Sequence, residues 1–247
     1  MFDKYFKQGQ KLRIKPLQFE KEQGRLEALT GFITTCSQDG LELRLPYGNT
    51  SGEEYPFEPG MPLEVVSDAL GMGLRVIGRF AGFRRADIIQ VEFSTGLKLF
   101  KPRLDARMDI PVGLRFTRGR GNLRSLRQKW EKNMQVLGSR SELAQKLSFP
   151  NCAVNISAGG IRFTFREQAE IGDLCLVLVD LQDQKPPICA LTEVVWLQRD
   201  ETREHTTAGM QFIHILKEDQ KRIDSFVWQQ QRELARRQQA EEEAKSA

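Results

Sequence analysis

The first hundred residues alternate apolar and polar positions in short runs, at 12–14, 28–36, 41–45, 62–66, 74–83 and 88–93. A side-chain period of two puts one face of each run in a core and the other in water, so these runs predict strands. Turn formers separate them: Gln38-Asp39-Gly40, Tyr47-Gly48-Asn49 and Phe57-Glu58-Pro59-Gly60. Repeated short strands with such turns predict a small antiparallel β-barrel over residues 1–99. At Phe100-Lys101-Pro102 the proline holds its predecessor extended and removes a ladder donor, which marks a linker over residues 100–108.

Positions 109–116 predict the first strand of a second domain, which spans residues 109–230. The period then changes. Leu123, Leu126, Trp130, Met134 and Leu137 recur at helical spacing, and after Gly138 a Ser139 or Ser141 cap opens a shorter helix carrying Leu143 and Leu147. Residues from about 117 to 150 therefore form a helical insertion. Strands resume at 153–156, 161–165, 173–180, 188–198 and 208–215, with Glu193 breaking one apolar run. From Glu218 the pattern is helical, through Ile223, Phe226 or Val227, Gln230 and Leu234, and passes into a polar helical tail over 231–247. Its short apolar stripe packs on the barrel or pairs with a second copy, so monomer and homodimer both stay open. The expected fold is mainly β: two small antiparallel β-barrels, the C-terminal one with a helical insertion and a C-terminal helix.

A chain of 247 residues, 40% hydrophobic, can fill two cores of ordinary size. No apolar run approaches the roughly 20 residues of a membrane span, and Met1-Phe2-Asp3-Lys4-Tyr5 lacks the pattern of a signal peptide, so the expectation is a cytoplasmic protein, not an integral membrane one. Cys36, Cys152, Cys175 and Cys189 show no CxxC spacing and read as reduced residues rather than disulfides or metal ligands. The net charge of +4 is unevenly spread: residues 117–150 hold eight basic residues against Glu131 and Glu142, a local +6 that leaves −2 for the rest. That segment is either a solvated helix face or a patch for an acidic partner, a membrane surface or nucleic acid.

Catalytic groupings are missing from the sequence. His205 and His214 have no metal-site spacing, Ser157 has no GxSxG context, and Gly71-Met72-Gly73 is not GxGxxG. Asp180 and Asp183, before Pro186-Pro187, read as solvated loop residues. The chain is expected to be no enzyme, with no metal and no cofactor.

Two segments carry binding chemistry. Arg103-Leu104-Asp105-Ala106-Arg107 offers two guanidinium forks, which can grip guanine O6 and N7 or a phosphate. Asn155-Ile156-Ser157-Ala158-Gly159-Gly160 adds a polar edge, and its glycines admit close backbone approach. Together they suit a guanine nucleotide. The plainer reading makes the arginines exposed linker residues and the second segment an ordinary hairpin, with glycines at positive φ.

In these segments the sequence resembles the PilZ family, whose members bind cyclic di-GMP through RxxxR before the first barrel strand and (D/N)xSxxG at a later turn. Arg103 and Arg107 match the first motif, and Asn155, Ser157 and Gly160 the second. Ala208-Gly209-Met210-Gln211-Phe212 looks like the Gly-x-x-Phe of the family's last strand. The resemblance covers roughly residues 100–230. The part before it, including Gly60-Met61-Pro62-Leu63-Glu64-Val65-Val66, is similar in size and position to the N-terminal domain of YcgR-type flagellar brake proteins.

The resemblance implies a cyclic di-GMP effector whose ligand is held by Arg103, Arg107, Asn155, Ser157, Gly159 and Gly160. It implies output through domain reorientation and an unidentified protein partner, in the flagellar motor or an exopolysaccharide or other surface-behaviour pathway, with no DNA. Two departures stand out. The motifs lie farther apart than in ordinary members, because of the insertion, and Pro102 stands where many members carry a further arginine, which implies one ligand per chain rather than a stacked pair. Two alternatives remain at this stage: an adaptor of the same fold that binds no nucleotide, and an RNA-binding protein, which would lack an RNP-type aromatic pattern.

Overall fold

The computed structural model describes residues 4–18, 24–47, 57–67, 73–94, 96–100, 105–118, 123–139, 148–200, 202 and 204–246. Among these the chain forms fourteen strands and two long helices. The strands are β1 (Lys11–Pro16), β2 (Arg25–Glu27), β3 (Leu29–Cys36), β4 (Gly40–Arg44), β5 (Pro62–Ser67), β6 (Gly73–Arg85), β7 (Ile88–Phe93), β8 (Lys98–Phe100), β9 (Met108–Arg118), β10 (Asn151–Ser157), β11 (Gly160–Phe165), β12 (Leu174–Asp180), β13 (Ile188–Asp200) and β14 (His205–Leu216). The helices are α1 (Leu123–Ser139), between β9 and β10, and α2 (Lys217–Ser246), after β14.

Two closed barrels result. One sheet runs β5-β1-β3-β4-β7-β6-β8, and β5 also pairs with β6, so six antiparallel strands close on themselves and β8 is added to β6. The other runs β11-β10-β9-β12-β13-β14-β2, closed by pairing of β11 with β14, with β2 added to β14. Closure removes free sheet edges, which short strands of this kind otherwise expose. By contacts the chain divides into two units that interleave in sequence. One comprises Met1–Leu104, Gly119–Lys129 and Ile213–Leu216; the other comprises Asp105–Arg118, Trp130–Phe212 and Lys217–Ala247.

The first unit buries alternate residues of each strand, among them Leu12, Ile14, Leu41, Leu43, Leu63, Val65, Val76, Ile89 and Val91. Beside that apolar core sits a charged cluster. Glu27 is 1% exposed and forms an ion pair with Arg127 of α1. Arg25 lies 3.5 Å from the same carboxylate, and His214 Nδ1 lies 3.8 Å from it. Burial and the two guanidinium groups push the His214 imidazole down to about 3, so it is neutral at ordinary pH. The Glu27 carboxylate acts in the opposite sense, but it is itself neutralised by the arginines. Arg127 thus corrects the view of α1 as either a solvated face or a free basic patch, because one of its cations balances a buried carboxylate.

The second unit packs Val112, Leu114, Val154, Ile156, Phe163, Val177, Val179, Ala190, Met210 and Phe212 inside its barrel. Trp130 of α1 is buried and donates Nε1–H to the Cys189 carbonyl at 2.8 Å. Ile223 and Val227, four apart on α2, are fully buried, so the helix packs on this barrel through that stripe. Arg222 holds its position by a fork to Asp183, with Nε to Oδ2 at 2.7 Å and Nη2 to Oδ1 at 2.5 Å. This corrects the reading of Asp183 as a solvated loop residue; the guanidinium also holds its carboxyl below the usual range. All four cysteines are free. Burial pushes the Cys175 and Cys189 thiols up to about 12, which keeps them protonated and inert.

No helix among the described residues is long and apolar enough to cross a membrane. The short helix expected after Gly138, with Leu143 and Leu147, and the turn at Gly48-Asn49 lie outside the described residues.

Candidate nucleotide-binding site

The β10–β11 hairpin carries the second motif. Ser157 pairs with Gly160 across a two-residue loop of Ala158 and Gly159. Neither glycine has a positive φ, so the plainer account of why glycine stands there is corrected. Close approach is the reason. Gly160 pairs with Gln211 of β14, and a Cβ on it would run into the Met210 carbonyl oxygen. Gly159 is also closely approached, on its other side: the position of a Cβ lies only 2.8 Å from Asp105 Oδ2. Its N–H donates to Ser157 Oγ at 3.3 Å, and its carbonyl accepts from Phe212 N–H at 3.1 Å. Ser157 is 1% exposed, so its hydroxyl serves the turn in this structure.

The first motif reaches the same hairpin. Asp105, midway between the two arginines, stands over Gly159. Arg107 immediately precedes Met108, which pairs with Ile156, so Arg107 lies beside the end of β10 where Ser157 sits. The Arg107 backbone is fixed by α2, because Gln231 Nε2 donates to its carbonyl at 3.1 Å. Another α2 glutamine, Gln220, donates Nε2–H to the Ala158 carbonyl at 2.9 Å. Arg103 lies outside the described residues. Of the six candidates, the structure brings Arg107, Asn155, Ser157, Gly159 and Gly160 to one end of one barrel.

Register adds residues that the motifs do not name. Asn155 faces Asp109 on β9 and Arg162 on β11, and Arg162 faces Gly209 on β14. The row continues to Trp196 of β13, whose side chain lies 3.5 Å from the position of a Gly209 Cβ. Asp109 Oδ1 accepts from Asn155 Nδ2 at 3.1 Å and from Arg162 Nη2 at 3.1 Å. At the far end, the missing side chain of Gly209 leaves room between the Arg162 guanidinium and the half-exposed Trp196 indole. Sequence spacing alone does not show this row, since its members lie on five strands. An alignment of strands by barrel register would have found it.

Chemically the row offers an amide, a guanidinium and an indole beside a hairpin with backbone within reach, a set suited to planar, phosphate-bearing ligands. No group of three or more metal-ligating side chains occurs among the described residues.

Residues 138–229 match the PilZ domain. The match takes in β10 to β14 and the start of α2, and leaves out the segment 103–107. No curated protein matches the chain significantly. Among solved structures, the chain is similar to the inhibitor of motility MotI/DgrA of Bacillus subtilis, 15% identical with a TM-score of 0.37 over 92% of this chain and 98% of that one. It is similar to YcgR of Escherichia coli in complex with c-di-GMP, 11% identical with a TM-score of 0.36 over 95% of this chain and 88% of that one. It is also similar to the MrkH–c-di-GMP complex of K. pneumonia, 11% identical with a TM-score of 0.35 over 92% of this chain and 90% of that one.

Proposed function

We propose, from the PilZ domain at residues 138–229, that this protein is a cyclic di-GMP-binding effector and not an enzyme. The observation that carries the reading is the meeting of the two motifs: Asp105, inside the arginine segment, stands over Gly159 of the Asn155–Gly160 hairpin. Two segments about 50 positions apart in sequence thereby come together at Asp105 and Gly159.

In this reading Arg103 and Arg107 hold guanine edges and phosphates through charge-assisted bonds, each good bidentate pair contributing about 1–3 kcal/mol. Asn155 reads a guanine through its amide, once the ligand takes it from Asp109. Ser157 keeps the hairpin in shape, and Gly159 and Gly160 leave the backbone open to approach. Arg162 and Trp196 add a guanidinium and a stacking face at the edge. Binding fixes the segment that joins the two barrels, and output passes to a protein partner in motility or surface-behaviour control.

The test is calorimetric titration of the full chain with cyclic di-GMP, beside GTP and linear pGpG. Saturable binding of the cyclic dinucleotide, weak or none for the controls, is expected. Equal affinity for GTP would remove the cyclic dinucleotide as the ligand.

A further inference from the structure

Ile223 and Val227 anchor the first half of α2 on its barrel, whereas every residue from Leu234 to Ala240 is exposed. The second half therefore lacks the packed apolar face from which most helices in proteins draw their stability. Trp228, where the two halves meet, is 51% exposed. An open groove of about 700 Å³ runs past it, and the described residues that line the groove, from Asp224 to Arg236, all belong to α2. The groove has one wall.

The sequence of that wall fits a second copy of itself. Lys221, Ser225, Trp228, Arg232, Ala235 and Gln239 are spaced alternately four and three apart, the spacing of a seam between two helices, and all six are exposed. Ile223 and Val227 lie roughly a third of a turn around the helix from this seam, which keeps it clear of the barrel that α2 packs on. The spacing reads the same in reverse. If two helices run antiparallel with position 230 of each opposite position 230 of the other, Lys221 faces Gln239, Ser225 faces Ala235 and Trp228 faces Arg232. Beside the seam, Asp224 faces Arg236. Two-fold symmetry makes each of these pairs twice.

The chemistry of the pairs is complementary. Each indole meets a guanidinium, each Asp224 carboxylate meets an Arg236 guanidinium, and the small Ser225 and Ala235 leave room for the indole beside them. Within its own chain, no ion pair, hydrogen bond or ring contact among the described residues engages the side chains of Asp224, Trp228, Arg232 or Arg236. Arg232 and Arg236 also repel each other one turn apart on α2, a cost that opposite charge and an aromatic face on a second helix offset. A parallel alignment does the reverse, setting Arg232 against Arg232 and Asp224 against Asp224.

We propose that this flank of α2 is a self-association surface, on which a second copy of the chain docks its own α2 antiparallel. The surface is separate from the hairpin site and does not rest on the proposed function. It orders the exposed half of each helix against the anchored half of the other.

The experiment is sedimentation equilibrium of the full chain without ligand, over a concentration series up to about 100 μM, a range suited to a small, largely polar interface. Variants are Trp228→Ala, Asp224→Arg, Arg236→Asp and the double exchange of Asp224→Arg with Arg236→Asp, with circular dichroism to verify that α2 persists. A reversible wild-type dimer is expected. Trp228→Ala and each single reversal should weaken it at least about tenfold, since every change acts at two symmetric places. The double exchange restores the pair with its signs swapped and should return the dimer to within about threefold of wild type, an outcome that only the antiparallel register predicts. A wild type that stays monomeric throughout, or a dimer indifferent to Trp228→Ala and to both reversals, would overturn the surface. Weakening by the single reversals without recovery in the double exchange would overturn the register.

Discussion

Asn155 on β10 donates its side-chain amide to Asp109 of β9 at 3.1 Å, and Arg162 of β11 donates to the same carboxylate oxygen at 3.1 Å. Both donors are thus held by an exposed internal acceptor, and under the proposed function the ligand must displace it. Opposite effects follow for two neighbouring changes. Asp109→Ala removes the competitor and a screened repulsion of phosphate, so cyclic di-GMP should bind about threefold more tightly. Asn155→Ala should weaken binding severalfold. Calorimetry on both variants decides, and a loss of affinity in Asp109→Ala would make the carboxylate a support of the site rather than its rival.

The basic insertion acts differently at different residues. Arg124, Lys129 and Lys132 are exposed, whereas Arg127 is ion-paired with the buried Glu27. Changing the three exposed cations to glutamine should leave cyclic di-GMP affinity within about twofold, because solvent and salt screen them. Arg127→Ala leaves a carboxylate buried with one fewer partner and should cost about 3 kcal/mol in denaturant unfolding. A collapse of affinity in the triple variant would put the insertion inside the binding site.

Much of the architecture is legible in alternation. Most strands of the first barrel were predictable because a period of two persists through them, as in the buried positions Leu41, Leu43 and Leu45. The strands β2 and β8 were not, since three residues carry no period and their pairing partners are distant in sequence. Charge misleads for a related reason: Arg127 and Asp183 look solvated in a list of residues, and only the fold supplies Glu27 and Arg222. At the site, the motif residues were legible by chemistry and order. Asp109, Arg162 and Trp196 were not, because barrel register and not spacing places them beside Asn155.

Two buried groups tilt stability with pH in opposite directions. Burial raises Asp219 to about 6 from an ordinary 3.8. The folded state then holds more protons than the unfolded state between those values, so stability falls as pH rises from about 4 to about 6. Asp219→Asn removes that penalty and should raise stability at pH 7.5 by roughly 1–3 kcal/mol, with the gain vanishing near pH 4. His214 is lowered to about 3 from 6.5. The unfolded state binds the extra proton there, so this contribution is complete above pH 6.5 and is lost as pH falls toward 3. Chemical denaturation of wild type and Asp219→Asn across pH 4 to 7.5 separates the two; a constant gap between them would refute the assignment to Asp219.

Stoichiometry turns on Pro102, which lies outside the described residues. Proline supplies neither a charge nor an N–H donor, so the cation suited to hold an additional stacked guanine is missing at that place. Saturation at one cyclic di-GMP per chain is expected at micromolar concentrations. Reproducible saturation at two, by calorimetry and mass spectrometry of the native complex, would show that another residue replaces the missing arginine.

The central claim is that the arginine segment and the hairpin form one cyclic di-GMP site. The most direct measurement is a paired calorimetric titration of wild type and Arg107→Ala, with circular dichroism to verify the fold. The account predicts saturable wild-type binding and at least about a tenfold loss in the variant, because a charged bidentate contact is removed from a segment that needs no side chain there to fold. Equal affinity in the two proteins, or no binding by a folded wild type, would contradict it.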